Sequence, residues 1–127
     1  MNDEELSRLL GSLRTEEGRR SLVGALEAKA ASLEESRDYP KAAGIWISLN
    51  DKKGVERCIH ACEKKRRYSE AADICEMGGQ YIRAADNLER AGLYSRAAYI
   101  HETRLKDRNT AQALRKASDM IYGDGSA

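Results

Sequence analysis

The chain has no phenylalanine, and aromatic residues make up only 6% of its 127 positions. A core without large rings must be built from Ala, Leu, Ile and a few Tyr. That suits closely spaced helices better than a sheet sandwich. Pro40 is the only proline. A chain so poor in the strongest breaker and dominated by Glu, Lys, Arg, Ala and Leu is expected to be all-α. Cysteine is scarce and odd in number, at Cys58, Cys62 and Cys75, which argues against a disulfide scaffold. No apolar run approaches the length of a bilayer span, so membrane insertion is not expected. Met1-Asn2-Asp3-Glu4-Glu5 is acidic where a signal peptide is basic and then apolar, and this predicts a cytoplasmic location. A strong charge of one sign is also missing. The formal net charge is +1, so the field of the whole molecule selects no partner.

What is present is a repeated phrase. Tyr39-Pro40-Lys41-Ala42-Ala43 returns as Tyr68-Ser69-Glu70-Ala71-Ala72, as Tyr81-Ile82-Arg83-Ala84-Ala85 and as Tyr94-Ser95-Arg96-Ala97-Ala98. The last three copies are 13 residues apart. Degenerate copies start at Val55 and Asp107 on the same step. The units run 39–51, then 55–67, 68–80, 81–93, 94–106 and 107–119, with Lys52-Lys53-Gly54 as an insertion after the first. At ~100° per residue, positions 1, 4, 5, 8 and 12 of the unit share one arc of a helix. Position 1 is mostly Tyr, and 4 and 5 are mostly Ala. Position 8 holds Trp46, Cys62, Cys75, Leu88, His101 and Leu114. Positions 2, 3, 6, 9, 10 and 13 are mostly charged or polar. Each unit is therefore expected to be one amphipathic helix of about ten residues followed by a tight turn. Gly54, Gly78-Gly79 and Gly92 are expected at helix ends, Ser69 and Ser95 as N-caps, and Pro40 in a first turn. Such a helix, ~15 Å long, is unstable alone and survives by stacking. Paired alanines permit a close approach, and turns of a few residues make neighbours antiparallel. Repetition of the unit gives an α-solenoid.

Before the repeats, Asn2 or Asp3 is expected to cap a short helix with a Leu6, Leu9, Leu10, Leu13 stripe. Thr15 is expected to cap a longer helix with Leu22, Val23, Leu26, Ala30 and Leu33 on its apolar face, reaching to about Arg37. The two read as a hairpin over 1–38 that covers the start of the repeats, or alternatively as an oligomerisation or partner-binding element. After the repeats, Met120, Ile121 and Tyr122 are expected to tuck against the preceding helices, and 123–127 reads as a disordered tail.

Gly79-Gln80-Tyr81-Ile82-Arg83-Ala84-Ala85 and Gly92-Leu93-Tyr94-Ser95-Arg96-Ala97-Ala98 resemble the start of the second helix of a tetratricopeptide repeat, Gly-x-Tyr-x-x-Ala. Glu89-Arg90-Ala91-Gly92 resembles the short-helix arrays of soluble NSF-attachment proteins and intraflagellar-transport subunits. A tetratricopeptide repeat has two unlike helices, whereas here every unit carries the same phrase, so that family's peptide groove does not transfer position by position. The resemblance implies a protein-binding scaffold. The expected fold is all-α: a right-handed α-solenoid of about six short antiparallel helices over 39–122, preceded by the N-terminal helical hairpin.

Several groups invite chemistry. Cys58, His60, Cys62 and Cys75 are residue types that zinc prefers, but His60 falls on the polar side of its helix while Cys58 and Cys62 fall on the apolar stripe. Packing is the better account of the cysteines, with a metal or redox-responsive role as the alternative. Gly78-Gly79-Gln80 matches the tripeptide of peptide-release factors, yet it stands where the repeat requires a turn. Residues 1–38 carry net −3 and residues 39–67 net +5. The cluster Lys64, Lys65, Arg66 and Arg67, with Lys52 and Lys53, reads as a solvated helix end, a nuclear-localisation-like patch, a landing site for an acidic protein, or a contact for nucleic acid or anionic lipid. No aromatics interleave with it, which weighs against single-stranded nucleic acid. Position 3 reads Lys41, Arg57, Glu70, Arg83, Arg96 and Asn109. Its bases are candidate forks for a partner's carboxylates. His101, at position 8, reads as a core residue. No nucleophile–base pair, phosphate loop or carboxylate pair is apparent, so no enzyme activity, catalytic residue, metal or cofactor is expected. The expectation is a non-catalytic adaptor that binds another protein, possible partners including one with an acidic segment. Self-association through the hairpin and nucleic-acid binding through 52–67 are the alternatives.

Overall fold

The computed structural model describes residues 2–12 and 14–123. Those residues form eight helices and no strand: α1 (Asp3–Ser12), α2 (Glu16–Glu35), α3 (Tyr39–Ser48), α4 (Lys52–Lys64), α5 (Tyr68–Met77), α6 (Tyr81–Arg90), α7 (Tyr94–Thr103) and α8 (Arg108–Tyr122). Each packs against the next along the chain, and α3 also meets α5. The arrangement is an all-α solenoid with α2, α4, α6 and α8 in one layer and α3, α5 and α7 in the other.

The 13-residue step has a simple origin. Ten residues make the helix of most units and three make the turn. The helices α2 to α6 all end in the same paired hydrogen bonds. Asp38, Asp51, Arg67, Gln80 and Leu93 donate their backbone N–H to the carbonyls of Leu33, Trp46, Cys62, Cys75 and Leu88 at 2.8–2.9 Å. The residue before each of these takes a positive φ: Arg37 at 65°, Asn50 at 56°, Arg66 at 59°, and Gly79 and Gly92 at 76°. This is the six-to-one closure of a helix on a left-handed residue. The third turn residue is at once the last residue of that closure and the N-cap of the next helix, which leaves no spare residue. The α7–α8 connection is looser, with Lys106 as the left-handed residue and Asp107 donating to the His101 carbonyl at 2.8 Å.

The caps differ from the sequence expectation. Thr15 caps α2 as expected, its Oγ1 accepting from the Gly18 N–H at 2.8 Å, and Asn2 caps α1 by accepting from Glu5. Ser69 and Ser95 are not caps. They are the second residues of α5 and α7, and Ser95 Oγ lies 3.1 Å from Ser118 Oγ. Asp38, Asp51 and Asp107 cap α3, α4 and α8, because the turn already delivers the aspartate that precedes each helix. Gly54 is not a helix end either. Lys52, Lys53 and Gly54 form the first turn of α4, which is 13 residues long. A Cβ on Gly54 would stand 2.5 Å from Cγ and Cδ2 of Trp46. The glycine is therefore a seat for the indole rather than a turn.

The core follows the repeat. Ala42, Ala43, Cys58, Ile59, Ala71, Ala72, Ala84, Ala85, Ala97, Ala98 and Ala111 have essentially no exposed surface. Cys62, Cys75 and Leu88 fill position 8. Position 7 is buried in three units, through Ile74, Asn87 and Ile100. The apolar arc thus takes in position 7, whereas position 12, expected on it, is the left-handed turn residue at Asn50, Arg66, Gly79 and Gly92. Tyr39 is buried, while Tyr68, Tyr81 and Tyr94 are partly covered. The second half of α2 already keeps the frame: Ala30 at position 5 is its buried residue, and Leu33 at position 8 packs on the core. Stacking begins there, one unit before Tyr39. α1 packs on α2, with Leu6 and Leu10 left about half exposed. Leu13, the Leu9 side chain and the tail residues 124–127 lie outside the described residues. Of the C-terminal trio, Tyr122 anchors through its hydroxyl to the Gly92 carbonyl at 2.9 Å, but Met120 and Ile121 are exposed rather than tucked in.

Candidate interaction surface

The position-3 bases are engaged within the chain. Arg57 of α4 donates from Nε and Nη2 to Glu34 of α2 at 3.2 and 3.1 Å and lies 5.4 Å from the Trp46 ring centre. Glu34 also accepts from the Trp46 indole N–H at 2.8 Å. Arg83 of α6 reaches two carboxylates of α4. It meets Glu63 at 2.6 and 3.0 Å and Glu56 at 2.7 and 2.8 Å. Arg96 of α7 reaches Asp73 at 3.3 Å and Glu76 at 3.5 Å on α5. Each arginine thus ties its helix to the one two places earlier, across the gap between neighbours of the same layer. A partner's carboxylate would have to displace an internal one. Lys41 is different: it is exposed, with Asp38 at 3.7 Å.

The best-covered of these ties is a small network. Asn87, fully buried at position 7, donates Nδ2 to Glu63 at 2.8 Å and to the Arg83 carbonyl at 3.1 Å. The Arg83 hydrogen bonds hold the Glu63 carboxyl below its ordinary pKa, and the two carboxylates push the Arg83 guanidinium higher still. Asn87 Oδ1 has no hydrogen-bond partner. Sequence reasoning missed Asn87 because position 7 was left unassigned. The one signal available was an amide between Asp86 and Leu88 on an otherwise well-patterned helix.

The basic cluster divides into committed and free members. Lys65 donates to the Tyr39 hydroxyl at 2.8 Å, and Arg67 lies 5.2 Å from the same ring centre. Arg67 also forks onto Glu70 and donates to the Arg37 carbonyl at 3.0 Å. Those bonds to Glu70 raise the Arg67 pKa and lower that of Glu70. Lys64 and Arg66 are exposed and, among the described residues, make no side-chain ion pair or hydrogen bond. Lys52 and Lys53 lie at the opposite edge, beside an open cleft of about 570 Å³ with Ile47 and Val55 in its lining. The structure therefore separates the bases that the sequence places in one 52–67 cluster, because α4 carries its two ends to opposite edges of the solenoid.

The cysteines all face inward. Burial pushes the Cys58 thiol up to about 12 and the Cys62 and Cys75 thiols up to about 11. Such thiols stay protonated at neutral pH, the reverse of what a nucleophile or metal ligand needs. Among the described residues no three Cys, His, Asp or Glu side chains converge as a metal site. His60 is exposed, apart from the buried cysteines of its own helix. His101 is mostly covered, with Nε2 at 4.0 Å from Glu89 and Nδ1 unpaired. Gly79 is the left-handed residue of the α5–α6 turn, which accounts for Gly78-Gly79-Gln80 as turn chemistry. No described helix is long and apolar enough to cross a membrane.

Compared with protein-family models, curated proteins and solved structures, the chain matches none of them.

Proposed function

We propose that the protein is a non-catalytic scaffold that binds another protein through the surface of its tetratricopeptide-like solenoid. One observation carries this reading. The chemistry-bearing side chains are engaged within the chain: three buried high-pKa thiols, buried Asn87, and Arg57, Arg83 and Arg96 paired with carboxylates. What remains outward is an open helical surface with exposed Ile82 and Tyr99 and a set of unpaired bases. Stacked short helices suit recognition because they hold an extended surface at low conformational cost.

The test is affinity capture from the source cell with the tagged chain, followed by reconstitution with the purified partner. A partner that binds stoichiometrically with a Kd in the micromolar range or tighter supports the reading. If every captured component is nucleic acid, and binding is salt-steep, the protein acts instead through its bases on a polyanion.

A further inference from the structure

Two arginines stand where the fold asks for glycine. The left-handed residues of the turns alternate between the two edges of the solenoid. On one edge the chain uses Asn50 after α3, Gly79 after α5 and Lys106 after α7. On the other it uses Arg37 after α2, Arg66 after α4 and Gly92 after α6. Gly79 and Gly92 show that glycine satisfies the same turn. Arg37 and Arg66 adopt φ 65° and 59°, a region that is unfavourable for any residue with a Cβ and routinely visited by glycine. Backbone strain of this kind concentrates where a side chain has work to do.

The two turns are neighbours in space. Arg67 Nη1 donates to the Arg37 carbonyl at 3.0 Å, so the turn after α4 is tied directly to the turn after α2. Tyr39 at the start of α3 lies beneath Lys65 and Arg67, which are held by it and by Glu70. Lys65 and Arg67 are thus braces. Arg37, Lys64 and Arg66 point outward and, among the described residues, carry no ion pair or side-chain hydrogen bond. Two adjacent rigid turns therefore present two unpaired guanidiniums with an unpaired lysine beside them.

We infer that this edge clamps an acidic segment of a partner protein, with Arg37 and Arg66 forking onto its carboxylates and Lys64 adding a third positive charge. The proposal rests on the scaffold reading and names the chemistry of its partner. A protein segment fits better than a nucleic acid. The ring at this edge, Tyr39, is buried under cations, so no stacking face is offered to a base.

The experiment uses the full chain and a fluorescein-labelled glutamate decamer, read by anisotropy at low salt. The test variant is R37G with R66G. Glycine suits both turns, so this variant is expected to melt no lower than wild type, and lost binding cannot come from unfolding. The matched control, K52A with K53A, removes two positive charges from the opposite edge. The expected result is at least about tenfold weaker binding in R37G/R66G and a change within about twofold in K52A/K53A. Equal loss in both variants, or no binding by wild type, overturns the proposal. So does tighter binding of a single-stranded DNA decamer with the same dependence on Arg37 and Arg66. A partner captured from cells that binds R37G/R66G as well as wild type removes the clamp and leaves the scaffold. Failure of wild type to capture any protein removes the scaffold itself.

Discussion

Gly54→Ala isolates the contact on which the α3–α4 pair depends. In an unpacked helix this change is favourable by up to ~1 kcal/mol, because alanine is the better helix former. Packing opposes it. The new Cβ would lie 2.5 Å from Cγ and Cδ2 and 2.9 Å from Cδ1 of Trp46, where carbon atoms normally rest at ~3.5–4.0 Å. The indole must retreat by roughly 1 Å or the helices must part. The ring has little freedom, being 6% exposed, bonded through Nε1 to Glu34 at 2.8 Å and covered by Arg57. Overpacking costs ~1–3 kcal/mol, and weakening a hydrogen bond to a charged acceptor costs a similar amount. After the propensity gain, a net loss of ~2 kcal/mol is expected. For a chain of 127 residues this lowers Tm by about 7 °C. Urea melts followed by circular dichroism measure it, and fluorescence of the single tryptophan reports the moved ring directly. A double-mutant cycle with Trp46→Leu supplies the control. With the ring gone, Gly54→Ala should be neutral or stabilising, giving a coupling of ~2 kcal/mol. If Gly54→Ala is as stable as wild type, with unchanged fluorescence, the reading of Gly54 as the seat of the indole is refuted.

Arg83→Ala should cost ~2–3 kcal/mol, because it strands Glu63, whose side chain is 18% exposed, beside buried Asn87. Arg96→Ala, at a half-exposed pair, should cost under ~1 kcal/mol; equal losses in parallel denaturation curves would contradict the difference in burial. The depressed Glu63 pKa stabilises the fold above the unfolded carboxyl value of ~4.3, and this contribution is lost as pH falls through the folded value. Arg83→Met should therefore flatten the acid limb of the stability–pH curve, and an unchanged limb would show that Glu63 does not set it. Native protein should resist thiol alkylation at pH 8, since all three thiols are buried and protonated. Rapid labelling of any cysteine before unfolding would contradict its placement. Arg66→Gly should raise stability by ~0.5–1 kcal/mol while Arg66→Ala should not, because both lose the charge and only glycine relieves the φ of 59°.

The legible parts of the fold are those that repeat locally. The Tyr-x-x-Ala-Ala phrase, read at helical spacing, places the buried alanines and position 8 correctly. The errors have one source. Gly54 reads as a turn because glycine usually is one near a helix end, and its use as a seat for Trp46 depends on a residue of the preceding helix. Ser69 and Ser95 read as caps because the turn's double use of Asp38 or Asp51 is invisible until the closure bonds are seen. Position 7 lies at the margin of the arc, and its burial depends on how far each helix is enclosed by helices on both sides.

The 13-residue period by itself determined the all-α architecture, the inward placing of positions 4, 5 and 8 and the antiparallel order, since all three follow from the 100° step and from turns too short to permit anything else. Which charged side chains are free was decided by the tertiary structure. Arg57, Arg83 and Arg96 meet carboxylates 20 to 27 residues earlier in the chain, a separation set by two stacked helices and their turns. The same stacking brings the turns that hold Arg37 and Arg66 to one edge and sends Lys52 and Lys53 to the other. Arginines at position 3 are therefore tied and those at position 12 free, because Coulomb's law acts through distance in space and the sequence records only distance along the chain.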